Sequence, residues 1–132
     1  MIGLVLVTHG RLAHEFKSAL EHVVGPQERI EAIAIGADDK PDTRRADIIR
    51  AVAAVDAGQG VVILTDMFGG TPSNLSISLL EAGRVEVLAG LNLPMLVKLA
   101  RVRRDRPLNE AVQMALESGR KYISIASQIL GN

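Results

Sequence analysis

Two short segments, far apart in the chain, carry the side chains best suited to chemistry: Thr8-His9-Gly10 and Thr65-Asp66-Met67. Imidazole titrates near neutral pH, and a carboxylate that accepts a hydrogen bond from one ring nitrogen fixes the tautomer and leaves the other nitrogen a free lone pair. That second nitrogen is a nucleophile able to attack phosphorus without first losing a proton. Shortly after Asp66 comes Gly69-Gly70-Thr71-Pro72. Glycines leave backbone amides open to close approach, threonine adds a hydroxyl, and proline at a first helical position marks a helix start whose free amides attract anions. Phosphoryl transfer needs mostly positioning and charge stabilisation. His9 and Asp66 are therefore the candidate catalytic pair, and Gly10, Gly69, Gly70 and Thr71 the candidates to hold phosphoryl oxygens.

For these segments to meet, the chain must bring both to one edge, and the hydropathy pattern predicts that it does. Ile2 to Val7 is a continuous branched apolar run, as expected of a parallel strand covered on both faces. Leu12, Ala13, Phe16, Ala19, Leu20, Val23 and Val24 then recur at helical spacing up to Gly25-Pro26. Ile30 to Ile35 reads as a strand near a sheet edge, and Ile48, Ile49, Val52 and Ala53 mark a second helix after Pro41 that ends before Gly58. Val61 to Leu64 is a third strand, with a helix capped by Thr71 expected from there through Leu75 and Leu79 to about Gly83. Val85 to Ala89 is a fourth strand, followed by a short helix around Met95 to Ala100. Pro107 opens a further helix, with Gly119 as its expected stop, and alternation over Tyr122 to Ala126 suggests a last short strand.

Strands alternating with helices imply an α/β fold: a three-layer, doubly wound sheet of four parallel strands. The usual order at this size, 2-1-3-4, sets the first and third strands side by side where the winding reverses, and ligands bind beyond their carboxyl ends. There His9 and Asp66 share a crevice. His14 and His22 fall instead on a helix face with Lys17, Ser18 and Glu21, opposite the apolar stripe, and are expected to be solvated. Arg101, Arg103, Arg104 and Arg106 read as a solvated loop paired in part with Asp105.

Composition excludes several other classes. With 132 residues, the chain has the size of one domain, expected to span residues 1–132, and 48% hydrophobic against 23% charged residues is globular. Fifteen basic and fifteen acidic side chains leave no electrostatic footprint for nucleic acid. The absence of cysteine removes disulfides, thiolate metal sites and a cysteine nucleophile. Neither a basic leader nor a membrane-length apolar run is present, so the expected compartment is the cytoplasm. A receiver-type signalling domain would place its aspartate where Asp66 stands, but it needs acidic residues after the first strand to hold magnesium, and Thr8-His9-Gly10 occupies that place. A flavin carrier would want aromatic rings, and only Phe16, Phe68 and Tyr122 exist. A binding or regulatory module using the same crevice stays open, because a carrier and a sensor can share one phosphorylation site.

Val7-Thr8-His9-Gly10, Leu64-Thr65-Asp66-Met67-Phe68-Gly69-Gly70-Thr71-Pro72 and Ala89-Gly90-Leu91-Asn92-Leu93-Pro94-Met95 together resemble the enzyme IIA component of the mannose family of the bacterial phosphoenolpyruvate-dependent sugar phosphotransferase system. The likeness covers essentially the whole chain. It implies that His9 accepts a phosphoryl group from phospho-HPr and passes it to a histidine of a IIB protein. On the same resemblance Asp66 orients His9, Thr71 with the neighbouring amides holds the phosphoryl oxygens, and neither metal nor nucleotide cofactor is required. It further implies a homodimer that exchanges an antiparallel C-terminal strand, here the Tyr122 to Ala126 segment, and contact with the membrane only through a permease complex. Phe68 stands where the best-known sugar-transporting member has tryptophan, and no IIB sequence follows within the 132 residues.

Overall fold

The computed structural model describes residues 1–131. Four strands, β1 (Gly3–His9), β2 (Ile30–Ile35), β3 (Val61–Thr65) and β4 (Val85–Ala89), form one sheet in the order β2-β1-β3-β4. Every pairing is parallel, with Leu4 opposite Ile30, Val7 opposite Thr65 and Thr65 opposite Ala89. The expected strand order is the one observed.

Around the sheet lie α1 (Leu12–Val24), α2 (Pro41–Val55), α3 (Thr71–Ile77), α4 (Leu93–Val102), α5 (Leu108–Lys121) and a single turn, α6 (Ala126–Ile129). Alternation along the strands sorts the core into two layers. Leu4, Leu6, Val62 and Leu64 pack with α1, α4 and α5, whereas Val5, Val7, Val61 and Ile63 pack with α2 and Leu75 of α3. This parity aims the end of β1. Thr8 continues the α1 side, where its hydroxyl accepts from the Ala13 amide at 2.7 Å, and His9 continues the side of α2 and α3. A slip of one residue would exchange the two.

Several elements depart from the sequence reading. Helix α3 ends at Ile77 instead of near Gly83, because the Ser78 hydroxyl donates to the Leu75 carbonyl and the following amides make tighter three-residue turns. Gly119 lies inside α5. A Cβ there would stand 3.0 Å from Met95 Cε, so glycine allows α5 its close approach to α4. Tyr122 to Ala126 is not a strand within this chain: Tyr122 is a turn residue, 123–125 are unpaired, and Ala126 begins α6. Both sheet edges lie elsewhere, so the alternating pattern finds no neighbouring strand in its own chain.

Arg103 is the largest correction. It is buried, and its guanidinium donates to the carbonyls of Ile2 at 3.0 Å, Glu28 at 2.7 Å and Arg29 at 2.9 Å, with a further bond to the Gln27 side chain. Burial, with Arg104 and Arg29 nearby, lowers its pKa to about 10, which leaves it charged at neutral pH. Arg101, Arg104 and Arg106 are exposed as expected, but Arg106 pairs with Glu110. His22 is exposed, whereas His14 is partly buried and its Nδ1 has no partner.

Candidate active site

The carboxyl ends of β1 and β3 bring His9 and Asp66 together across 57 residues of sequence. His9 Nδ1 and Asp66 Oδ2 lie 2.8 Å apart, and the same oxygen accepts the His9 main-chain N–H at 3.1 Å. The second oxygen, Oδ1, accepts the Met67 amide at 3.1 Å. Asp66 is thus held by two backbone donors besides the ring, and its side chain is 14% exposed against 50% for His9. A carboxylate in this setting accepts from Nδ1–H, so the proton stays on Nδ1 and the lone pair on Nε2.

Nε2 points toward the start of α3. A Cβ on Gly70 would sit 3.4 Å from both Cε1 and Nε2 of His9, so the glycine backbone lies against the reactive edge of the ring. Gly70, with φ +88° and ψ 173°, occupies the N-cap position, in a region of backbone space open in practice to glycine. Thr71 therefore becomes the first helical residue and not the expected cap, and no side chain caps α3. The first α3 amide with a partner in the described residues is that of Asn74, bonded to the Gly70 carbonyl. The amides of Gly69, Gly70 and Thr71 have no partner among the described residues, and with the exposed Thr71 they make a suitable seat for phosphoryl oxygens. Gly10 differs. Its amide is committed to the Ile35 carbonyl at 2.9 Å, so its contribution is the left-handed turn, φ +53°, that takes the chain out of β1.

His9, Gly10 and Thr71 border a cleft of ≈ 460 Å³ whose far wall is the β2–α2 loop, with Gly36 and Asp39, and the first residue of α2, Pro41. Sequence reasoning missed that wall. Asp39 accepts the Gly36 amide at 2.7 Å, a local turn whose Gly-x-x-Asp spacing was a legible signal. Met67 and Phe68, which follow Asp66, are exposed at 56% and 78%, and Phe68 borders a separate hollow with Val87, Leu88, Val112 and Leu116. Among the described residues no group of three or more metal-ligating side chains occurs.

With this geometry in view, comparison with known proteins is decisive. Residues 3–116 match the family model described as the PTS system fructose IIA component, of the mannose-type EIIA class. The chain belongs to this family. The IIA chain is 34% identical over 101 residues to the sorbose-specific EIIA component of Lacticaseibacillus casei, covering 74% of itself and 70% of that protein. It is 33% identical over 124 residues to the mannose-specific EIIAB component of Escherichia coli K12, covering 92% of itself but spanning only 38% of that protein. Among solved structures, the phosphotransferase system component EIIA of Streptococcus agalactiae superposes with a TM-score of 0.88 at 30% identity, covering 97% of this chain and 99% of the other. The resemblance read from three sequence motifs is to the family found, a mannose-family IIA component of the sugar phosphotransferase system, and the α/β fold read from the alternation of strands and helices is the one its solved relatives share.

Proposed function

We propose that His9 is the phosphoryl-carrying residue of this IIA chain. The observation that carries the reading is the 2.8 Å contact between Nδ1 and Asp66, with the half-exposed ring laid against the uncapped start of α3. Asp66 holds the ring as the tautomer with Nε2 unprotonated. The Nε2 lone pair attacks phosphorus, an N–P bond forms, and the bond from phosphorus to the donor breaks with its electron pair leaving on the donor. Thr71, with the amides of Gly69 and Gly70, steadies the charge on the transferring oxygens. Transfer onward reverses these roles.

On this reading phospho-HPr is the donor, a histidine of a IIB protein is the acceptor, and the process serves uptake of a mannose-family sugar. The half exposure of His9 supports it, since partner proteins must bring their own phosphoryl-bearing residue to the ring. Residues 1–132 would act as one IIA domain in the cytoplasm, reaching the membrane through a permease complex; no helix of the described residues is long and apolar enough to cross a bilayer. A homodimer belongs to the same proposal. Its support is the free edge of β4 together with the exposed Ile123, Ile125, Ile129 and Leu130.

Incubation with phosphoenolpyruvate, enzyme I and HPr should place one acid-labile phosphate on the chain, and His9→Ala should take none. Full labelling of His9→Ala would remove His9 from the reaction.

A further inference from the structure

The third motif, Ala89 to Met95, reaches the same sheet edge yet borders none of the cleft beside His9. Its hydrogen bonds show another task. The amides of Gly90 and Leu91 both donate to the Thr65 carbonyl, at 3.1 and 3.0 Å. That carbonyl belongs to the peptide that carries Asp66, so two donors from the loop fix the plane from which the carboxylate projects. The Thr65 side chain offers no help: its hydroxyl is buried without a partner.

What holds the loop itself is Asn92. Its Oδ1 accepts the Met95 amide at 3.1 Å as the N-cap of α4, and its Nδ2 donates to the Gly119 carbonyl of α5 at 2.9 Å. The packing at Gly119 is tight, with Asn92 Oδ1 3.5 Å and Met95 Cε 3.0 Å from where a Cβ would stand. A cap alone does not require asparagine, because aspartate, serine and threonine accept an N-terminal amide as well. Only a carboxamide of this length both accepts from Met95 and donates to Gly119.

We propose that Asn92 is a positioning residue for the His9–Asp66 pair. By latching the β4–α4 loop to α5 it sets the Gly90 and Leu91 amides, these set the Thr65 peptide, and the Thr65 peptide sets the angle at which Asp66 meets Nδ1. This inference rests on the reading of His9 as the phosphoryl carrier. It also ties the site to the end of α5, three residues before the exposed segment that starts at Tyr122.

Asn92→Asp separates the two roles of the side chain, since it keeps the cap and loses the donor. Nitrogen-15 spectra of the imidazole report the tautomer directly, and rapid-quench labelling from phospho-HPr reports the transfer rate. Asn92→Asp is expected to remain folded, to shift His9 population away from the Nδ1–H tautomer and to slow labelling by about tenfold, as loss of an outer orienting partner does elsewhere. An unchanged tautomer and rate, with only a lower melting temperature, would show Asn92 to be a helix cap and nothing more. Should the aspartate variant fail to fold, Asn92→Ser, which caps without added charge and cannot reach Gly119, decides on the same readouts. Absence of labelling in the parent protein would overturn the phosphocarrier reading, while the tautomer comparison would still judge Asn92.

Discussion

Asp66 serves His9 twice, through the ring and through the main chain, with one oxygen accepting from both. Its removal therefore frees the imidazole to rotate and to place its proton on either nitrogen. Asp66→Ala is expected to keep the fold and to slow phosphoryl transfer about a hundredfold, the scale of a small misplacement of a reacting group. Rapid-quench labelling checks this, and an unaltered rate would exclude Asp66 from the mechanism. His9 and Asp66 were legible in the sequence because imidazole and carboxylate at two strand ends are conspicuous by type. Asn92 was not. A single asparagine before proline-containing Leu93-Pro94 looks like any helix start, and its second bond goes to a carbonyl 27 residues away.

At the scale of elements, the helices that frame the site start in different ways. The first turn of α1 is anchored from the sheet by the buried Thr8 hydroxyl, whereas α3 starts without a side-chain cap, its N-cap Gly70 lying against the His9 ring. Thr8→Val keeps the shape and leaves the Ala13 amide without its acceptor. We expect a loss of about 1–2 kcal/mol in unfolding free energy, seen in the urea midpoint, with labelling of His9 retained. Strands and long helices were readable from periodicity, since burial of a repeating stripe decides them. The early end of α3 and the continuation of α5 through Gly119 were hidden, because a serine side-chain bond and a close helix–helix approach decide those two boundaries.

For the whole molecule, Arg103 is the clasp. Its guanidinium gathers carbonyls from Ile2, Glu28 and Arg29, joining the start of β1, the approach to β2 and the end of α4 at the sheet edge opposite His9. Arg103→Met would fill the volume and leave those acceptors without their charged donor. The expected destabilisation is about 3 kcal/mol, again in the urea midpoint, with phosphoryl transfer by the folded fraction unchanged. The exposed C-terminal segment belongs to the same scale. If a partner chain covers it, a variant ending at Lys121 should sediment as a monomer where the full chain sediments as a dimer; equal masses would reject strand exchange.

Residue types and their periodicity were enough to determine the alternation of strands and helices, the edge at which a site must lie and the imidazole–carboxylate pair placed there. These follow from short-range regularities and one topological rule. The tertiary structure decided which ring nitrogen is free, that Gly10 has no spare amide, that Thr71 starts its helix instead of capping it, and that one arginine of four is buried. The ring nitrogen and the buried arginine depend on contacts between groups 57 and 101 residues apart, and Gly10 on the Ile35 carbonyl across the sheet; hydrogen-bond partners at such separations leave no mark in local sequence, while Thr71 is displaced from the cap by the backbone turn at Gly70.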